Sequence, residues 1–202
     1  MLSDRDIHKA LADGWLKIEP LADADIKPSW VILHLGDMFL IPKHQIKAIR
    51  PELEGGEEHY TRVHATSQKP LILRPGDFVL GETLEKVSIG KELAMVLSTK
   101  SAVARHGLTA DLTSPFIETG HGVPTPRRVT LEIKNASQNV FALTPGIPFT
   151  KGYFFRLDTP ASRASDDDTG YHDLHVGAPQ PLNKPNANVT KTTQSKGKKK
   201  GI

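Results

Sequence analysis

The segment Lys100-Ser101-Ala102-Val103-Ala104-Arg105 combines a hydroxyl group with two cationic side chains. It follows an apolar run typical of a strand, and it places Lys100, Ser101 and Arg105 within about one and a half turns of a short helix. The free backbone N–H groups of a first helical turn and the helix dipole add to the charges of these side chains. The spacing therefore predicts an anion site that suits a phosphorylated ligand, with an ordinary solvated basic turn as the alternative.

Glu132 is the second residue whose position suggests chemistry. It lies in the run RRVTLEIKN, where period-two alternation places Val129, Leu131 and Ile133 on one face of a strand. Thr130 and Glu132 then share the opposite face. If that face lines a pocket, Glu132 is a candidate general base, and if it meets solvent, Glu132 is an ordinary surface residue.

Both candidates lie in a chain whose pattern predicts mainly β-structure. A short helix comes first, because Ser3 and Asp6 have the spacing of a capping box and apolar residues follow at helical intervals. Gly14 is predicted to end it. From there to about residue 160, short runs rich in Val, Ile, Leu and Phe alternate with turn signals, which favours an antiparallel β-domain. The runs are VILHLGDMFLI, PLILRPGDFVLG, KELAMVLST, RRVTLEIKN, NVFALTPG and KGYFFRL.

Two of these runs contain the same turn signal. Pro75-Gly76 and Pro145-Gly146 each precede a predicted strand. Each pair fits a type II turn, in which proline takes the second position and glycine takes the positive φ of the third. Two similar corners about seventy residues apart favour a barrel or jelly roll whose halves turn alike. The alternative is two unrelated turns.

Composition limits the possible functions. The 202 residues, 38% of them hydrophobic, suit one domain with its own core, and 15 prolines with 16 glycines disfavour an all-helical fold. The absence of cysteine excludes disulfides, thiolate metal sites and zinc-dependent deamination, which needs cysteine ligands. The sequence has neither an apolar run of membrane-spanning length nor a signal-peptide pattern at its start. We therefore expect a cytoplasmic protein without a membrane partner.

The formal net charge of +3 comes from the end of the chain. Residues 183–202 contain six lysines and no acidic residue, so residues 1–182 carry 20 basic and 23 acidic side chains. The segment NKPNANVTKTTQSKGKKKGI has few large apolar residues and is predicted to be a disordered tail. Weak contact of this Lys-rich tail with nucleic acid or an anionic membrane is the alternative to a solvated tail.

Common cofactor motifs are missing from the sequence. It has no Gly-rich phosphate loop followed by Lys-Ser or Lys-Thr, no GxGxxG and no HExxH. Of the nine histidines, only His172 and His175 flank an acidic residue at ligand spacing, in YHDLH. Because that group lies in a segment without apolar periodicity, we expect solvated side chains there and not a metal site.

Six blocks in order resemble the dCTP deaminase family, a branch of the trimeric dUTPase superfamily: MLSDRDIHKAL, PSWVILHLGDMF, PLILRPGDFVLGETLEKV, KSAVARHGLTADLTSPFIETG, VTLEI and ALTPGIPFTKGYFFRLDTPA. The resemblance covers residues 1–162 and implies a dUTPase-like distorted jelly-roll β-barrel with a short N-terminal helix. It also implies a homotrimer, nucleotide sites at subunit boundaries, and Mg²⁺ accompanying the triphosphate without zinc. Residues 163–182 would form a mobile C-terminal arm, before the tail at 183–202.

The resemblance also assigns roles to residues. Glu132 falls on the family's catalytic glutamate, which takes a proton from water so that hydroxide can attack C4 of cytosine and expel ammonia. Ser101 and Arg105 fall on residues that organise the water and the polar network, and Lys100 falls on a residue that contacts phosphate. The remaining positions implied at the nucleotide are Ala102, Thr113, Ser114, Glu118 and Thr130. At two of these, Thr113 and Ser114, the family's backbone reads the base.

The chain departs from the family's usual residues near the site. Ala102 stands where a second serine is usual, Ile32 where an aspartate is usual, and Glu118 begins Glu-Thr-Gly where the family has Asp-Pro-Gly. A short insertion within HGVPTPR precedes the strand of the catalytic glutamate. Ser165 and Val176 stand near the positions of the tyrosine and glutamine that usually close over the nucleotide.

These residues favour hydrolytic deamination of dCTP to dUTP and ammonia, because Glu132, Ser101 and Arg105 are retained. Diphosphatase activity on dUTP, alone or combined with deamination, is one alternative, for which Glu118 approximates the aspartate that the dUTPase branch uses to activate water. A nucleotide-binding or regulatory member without turnover is another, which Ala102 and the changed arm would permit.

Overall fold

The computed structural model describes residues 1–44, 48–50, 54–165, 177 and 179. Two α-helices and thirteen strands follow in chain order within these residues. They are α1 (Asp4–Ala12), β1 (Leu16–Glu19), β2 (Ile26–Lys27), β3 (Trp30–His34), β4 (Met38–Pro42), β5 (Tyr60–His64), β6 (Leu71–Leu73), β7 (Phe78–Ile89), β8 (Leu93–Thr99), α2 (Ser101–Ala104), β9 (Leu108–Thr109), β10 (Phe116–Ile117), β11 (Arg127–Asn135), β12 (Phe141–Leu143) and β13 (Pro148–Arg156).

Helix α1 begins with the predicted capping box. The Ser3 hydroxyl accepts a hydrogen bond from the backbone N–H of Asp6 at 3.3 Å, and the Asp6 carboxylate accepts one from the backbone N–H of Ser3 at 3.1 Å. The helix buries Ile7 and Ala10 against the sheets, and it ends before Gly14, which has a φ of +76°. The N-terminal prediction is therefore confirmed.

Two antiparallel sheets make up most of the molecule. The first has the order β5-β4-β7-β11-β9, with β1 also paired to β7, and the second has the order β10-β8-β13-β3-β2. Apolar side chains from both sheets form one continuous core, in which Phe39, Phe149 and Phe154 are fully buried. This mainly β, jelly-roll-like architecture is the predicted fold class.

The two Pro-Gly turns have the predicted conformation. Gly76 and Gly146 have φ angles of +83° and +85°, as the third position of a type II turn requires. The short strands before these turns, β6 and β12, pair with each other in a separate two-stranded sheet, with Leu73 opposite Phe141. The two similar segments therefore lie side by side and turn alike.

Strand β11 separates a buried face from a polar one. Val129, Leu131 and Ile133 are fully buried, whereas Glu132 is half-buried and Thr130 is exposed. The alternation predicted around Glu132 is therefore confirmed from residue 129 onward. A register shift against β7 between Arg128 and Thr130 marks a β-bulge at the start of the strand.

A buried acidic residue connects the two sheets. Glu85 on β7 is 3% exposed, and its carboxylate accepts a hydrogen bond from the backbone N–H of His34 at 2.9 Å. The His34 imidazole Nδ1 lies 2.6 Å from the other carboxylate oxygen. Burial raises the pKa of Glu85, against the opposing effect of these hydrogen bonds.

The chain beyond β13 runs back toward β10. The backbone N–H groups of Ala161 and Ser165 donate to the carbonyl oxygens of Lys91 and Thr119, both at 2.8 Å. Ala164 between them is buried. The described start of the predicted arm therefore packs against the loops that follow β7 and β10. Of the rest of that arm only residues 177 and 179 are described, and Val176 and the Lys-rich tail lie outside the described residues. In the described part of the chain, no helix is long and apolar enough to span a membrane.

Candidate active site

A cleft of about 400 Å³ lies between β10, β11 and the segment that follows β13. Four of the predicted site residues line this cleft together: Ser114, Glu118, Thr130 and Glu132. Glu132 therefore faces a pocket and not open solvent. Of the two interpretations of its strand position, the structure favours the one that allows a general base.

The Glu132 carboxylate is held through one of its oxygens. Oε2 accepts hydrogen bonds from the backbone N–H of Thr113 at 2.7 Å, from the Thr113 hydroxyl at 2.5 Å and from the backbone N–H of Ser114 at 3.2 Å. Oε1 accepts no hydrogen bond from the residues that the structure describes. Three donors fix the carboxylate through Oε2, which leaves Oε1 as the oxygen that can accept a proton.

The loop that carries Thr113 is fastened to both neighbouring strands. The backbone N–H of Glu132 donates to the carbonyl of Ala110 at 3.0 Å, and Asp111 forms a parallel bridge with Glu132. The Asp111 carboxylate accepts a hydrogen bond from the backbone N–H of Thr99 at 3.2 Å, at the end of β8. The donors around Oε2 are therefore positioned by the backbone of a fixed segment.

A second carboxylate lies in the same cleft. The Glu118 Oε2 accepts a hydrogen bond from the Ser165 hydroxyl at 2.6 Å, and both residues line the cleft. Ser165 thus closes one side of the cleft from the segment that follows β13. Both residues stand at positions where the sequence differs from the pattern that it resembles.

The structure does not place the residues around α2 in this cleft. Lys100 precedes α2, while Ser101, Ala102 and Arg105 are exposed, and none of the four is among the described lining residues. Within one chain, the predicted anion site therefore does not line the cleft that holds Glu132. The two groups of residues predicted to form one site are not brought together by a single chain.

Several lining residues were missed by the sequence reasoning: Phe116, Ile117, His121 and Arg127. Phe116 on β10 is 69% exposed, and a large apolar side chain in a short segment flanked by polar residues is a signal that could have identified it. Period-two alternation along β11 places Arg127 on the apolar face of Val129. The β-bulge between Arg128 and Thr130 changes that alternation, so the pattern does not identify Arg127 as a lining residue. Arg128, which the alternation places on the face of Glu132, instead donates to the buried carboxylate of Glu82 at 2.6 Å.

Within the described residues, no group of three or more His, Asp or Glu side chains is arranged to hold a metal ion. The segment YHDLH, whose histidines were expected to be solvated, lies outside the described residues. The described cleft combines the carboxylates of Glu118 and Glu132 with hydroxyl, imidazole, guanidinium and apolar side chains.

Solved structures first identify the class of fold. The crystal structure of 2′-deoxycytidine 5′-triphosphate deaminase from Agrobacterium tumefaciens matches with a TM-score of 0.58 at 18% sequence identity, covering 77% of this chain and 47% of that chain. This chain thus spans about half the length of that protein, and the likeness shows a shared fold.

Sequence comparison then identifies the family. Residues 1–157 match the dCTP deaminase-like family, and the chain belongs to it. It is 36% identical over 174 residues to a "dCTP deaminase, dUMP-forming" of Halobacterium salinarum, covering 84% of this chain and 87% of that protein. It is also 35% identical over 164 residues to a protein of the same name from Dictyoglomus thermophilum, covering 80% and 82% respectively.

Proposed function

We propose that this protein is a hydrolase that deaminates dCTP, with Glu132 as the general base. The observation that supports this most directly is the Glu132 carboxylate in the cleft, with Oε2 bound by three donors and Oε1 accepting none from the described residues. Membership of the dCTP deaminase-like family supports the same reaction.

The proposed reaction begins with a proton transfer. Glu132 takes a proton from a water molecule, and the resulting hydroxide bonds to C4 of cytosine. Return of the proton from Glu132 to the exocyclic amino group lets the C4–N bond break, so that ammonia leaves and a uracil base remains. The loop of Thr113 and Ser114, which fixes the carboxylate, is proposed to lie against the base.

The released nucleotide is proposed to be dUMP. The two relatives described above are both named dUMP-forming, which favours the combined reaction over the release of dUTP expected from the sequence. A second water must then attack the α-phosphate and release diphosphate. Glu118 is the second carboxylate in the cleft, and we assign it to the activation of that water.

The complete site is proposed to form between subunits of a homotrimer. Lys100, Ser101 and Arg105 lie outside the cleft of Glu132 in one chain, so a neighbouring copy would have to bring them to the nucleotide. Mg²⁺ is proposed to arrive with the triphosphate. The described residues offer phosphate-binding cations near α2, and no cluster of three metal-ligating side chains.

One assay tests this function. The protein is incubated with dCTP and Mg²⁺, and ammonia, diphosphate and the nucleotide products are quantified from the same sample. Equal amounts of ammonia, diphosphate and dUMP are expected. Ammonia with dUTP and no diphosphate would refute the combined reaction but retain deamination. Unchanged dCTP despite measurable binding would refute an enzymatic function.

A variant separates the two steps. Glu118→Gln is expected to lower diphosphate release while ammonia release continues, because the amide cannot accept a proton from water. The matched control is Ser165→Ala, which removes the partner of Glu118 but leaves its carboxylate in place. An equal loss of ammonia and diphosphate in Glu118→Gln would contradict the separate roles proposed for Glu132 and Glu118.

A further inference from the structure

The segment that follows β13 is held in place by its backbone where it reaches the cleft. The carbonyl oxygen of Lys91 accepts a hydrogen bond from the backbone N–H of Ala161 at 2.8 Å, and the Lys91 Nζ donates to the carbonyl oxygen of Ser162 at 3.1 Å. Further along, the backbone N–H of Ser165 donates to the carbonyl oxygen of Thr119 at 2.8 Å. The backbone therefore fixes the position from which the Ser165 side chain lines the cleft.

The turn that begins at Glu118 packs directly on this segment. The backbone N–H of His121 donates to the carbonyl oxygen of Glu118 at 3.2 Å, and Gly120 between them has a φ of +87°. A Cβ at residue 120 would lie 2.4 Å from the Cα of Ala164 and 2.7 Å from the backbone nitrogen of Ser165. Only glycine allows so close an approach of two backbones. The distance between Glu118 and Ser165 is thus set by packing as well as by their side chains.

The Glu118 carboxylate is held in the same manner as that of Glu132. Its Oε2 accepts a hydrogen bond from the Ser165 hydroxyl at 2.6 Å, and its Oε1 accepts none from the described residues. At Glu132, it is the Thr113 hydroxyl that donates to Oε2. A carboxylate bound through one oxygen keeps the lone pairs of the other for a proton. The cleft therefore contains two carboxylates, each oriented by a hydroxyl group from a different segment of the chain.

We propose that Ser165 is a positioning residue for Glu118 in the release of diphosphate. Its hydroxyl holds Oε2, so that Oε1 takes a proton from the water that attacks the α-phosphate. The oxygen of that water bonds to the α-phosphorus, and the bond from this phosphorus to the bridging oxygen breaks, with its electron pair leaving on diphosphate. This inference rests on the proposed function, because it requires that Glu118 activate the second water.

The test measures the two steps separately. Ammonia release is followed with dCTP, and diphosphate release is followed with dCTP and with dUTP, which needs only the second step. Ser165→Ala removes the hydroxyl, and Ser165→Thr retains it. Ser162→Ala is the matched control, at an exposed serine of the same segment whose carbonyl oxygen, and not its side chain, binds Lys91. Thermal melting followed by circular dichroism establishes that each variant is folded.

We expect Ser165→Ala to lower kcat for diphosphate release about tenfold, because a hydrogen bond to a charged group is lost. This loss should be smaller than in Glu118→Gln, which removes the base itself. Ammonia release and the KM for dUTP should stay within about threefold of wild type, since the hydrogen bond acts on the second step alone. Undivided dUTP should therefore accumulate from dCTP. Ser165→Thr and Ser162→Ala should both resemble the wild type.

Three results would overturn the proposal while leaving the proposed reaction intact. They are a wild-type kcat for diphosphate release in Ser165→Ala, an equal loss of ammonia and diphosphate in that variant, and a folded Ser165→Thr as impaired as Ser165→Ala. The second result would indicate a merely structural role for Ser165, and the third would show that the hydroxyl is not what matters. A wild-type protein that releases no diphosphate from either nucleotide would refute the combined reaction and this proposal together.

Discussion

Thr113 binds the Glu132 carboxylate twice, through its backbone N–H at 2.7 Å and through its hydroxyl at 2.5 Å, and both donors meet the same oxygen. The two residues are 19 positions apart in the chain and come from different elements. This arrangement restrains the rotation of the carboxylate and leaves its second oxygen without a donor among the described residues. In the proposed reaction, these two hydrogen bonds orient the general base before water attacks.

Thr113→Val tests this contact. The substitution keeps the shape of the side chain and the backbone donor but removes the hydroxyl, and a lost hydrogen bond to a charged group lowers kcat for ammonia release about tenfold. Thr113→Ser, which retains the hydroxyl, should stay within about threefold by the same reasoning. A wild-type kcat in Thr113→Val would show that the backbone N–H groups of Thr113 and Ser114 suffice to hold the Glu132 carboxylate.

The sequence predicted which face of β11 carries Glu132, because Val129, Leu131 and Ile133 alternate with polar residues. One face of the strand is buried in the core, and this requires an apolar residue at every second position. It could not predict the bulge that places Arg127 in the cleft, because a bulge depends on the register against β7. Nor could it place Ser165 against Glu118, since these residues lie 47 positions apart and no local pattern connects them. Local periodicity predicts strands, whereas contacts between distant segments follow from the whole fold.

The Glu85→Gln variant tests the buried pair of Glu85 and His34 between the two sheets. Burial raises the pKa of Glu85 above its ordinary value of 4.5, so the folded protein binds this proton more tightly than the unfolded chain. The contribution of Glu85 to stability is therefore fully present below pH 4.5 and is lost as the pH rises through the folded pKa. The permanently neutral glutamine should gain in relative stability over that range.

Unfolding by urea, measured from pH 4.5 to pH 7.5 on wild type and Glu85→Gln, checks the direction of this pH dependence. The free energy of unfolding of the variant should increase relative to wild type as the pH rises. A protonated His34 favours the charged carboxylate and opposes the trend, so His34→Gln is the companion variant. A relative stability of Glu85→Gln that falls with rising pH would show that the hydrogen bonds from His34 outweigh burial.

Mixing two inactive variants tests whether the site is shared between subunits. Glu132→Gln and Arg105→Ala are each expected to be inactive. The first variant lacks the general base, and the second lacks a cationic side chain at the end of α2. In a randomly mixed trimer, about a quarter of the sites would combine an intact Glu132 from one chain with an intact Arg105 from its neighbour. Activity should therefore reappear after subunit exchange.

Light scattering on the same samples gives the number of chains in the assembly. We expect a particle of three chains of 22.1 kDa, and dilution should weaken it by mass action. A monomer that turns over dCTP would contradict a shared site. So would a trimer in which the mixed variants stay inactive after demonstrated exchange.

The general-base role of Glu132 is tested most directly by the Glu132→Gln variant. Glutamine keeps the volume of the side chain and can still accept hydrogen bonds from Thr113 and Ser114, but it cannot take a proton from water. Ammonia release should fall by about 10²–10⁴-fold, the range of general acid–base catalysis, while the affinity for dCTP stays within a few-fold of wild type. Retention of a tenth of the wild-type rate of ammonia release would contradict this role.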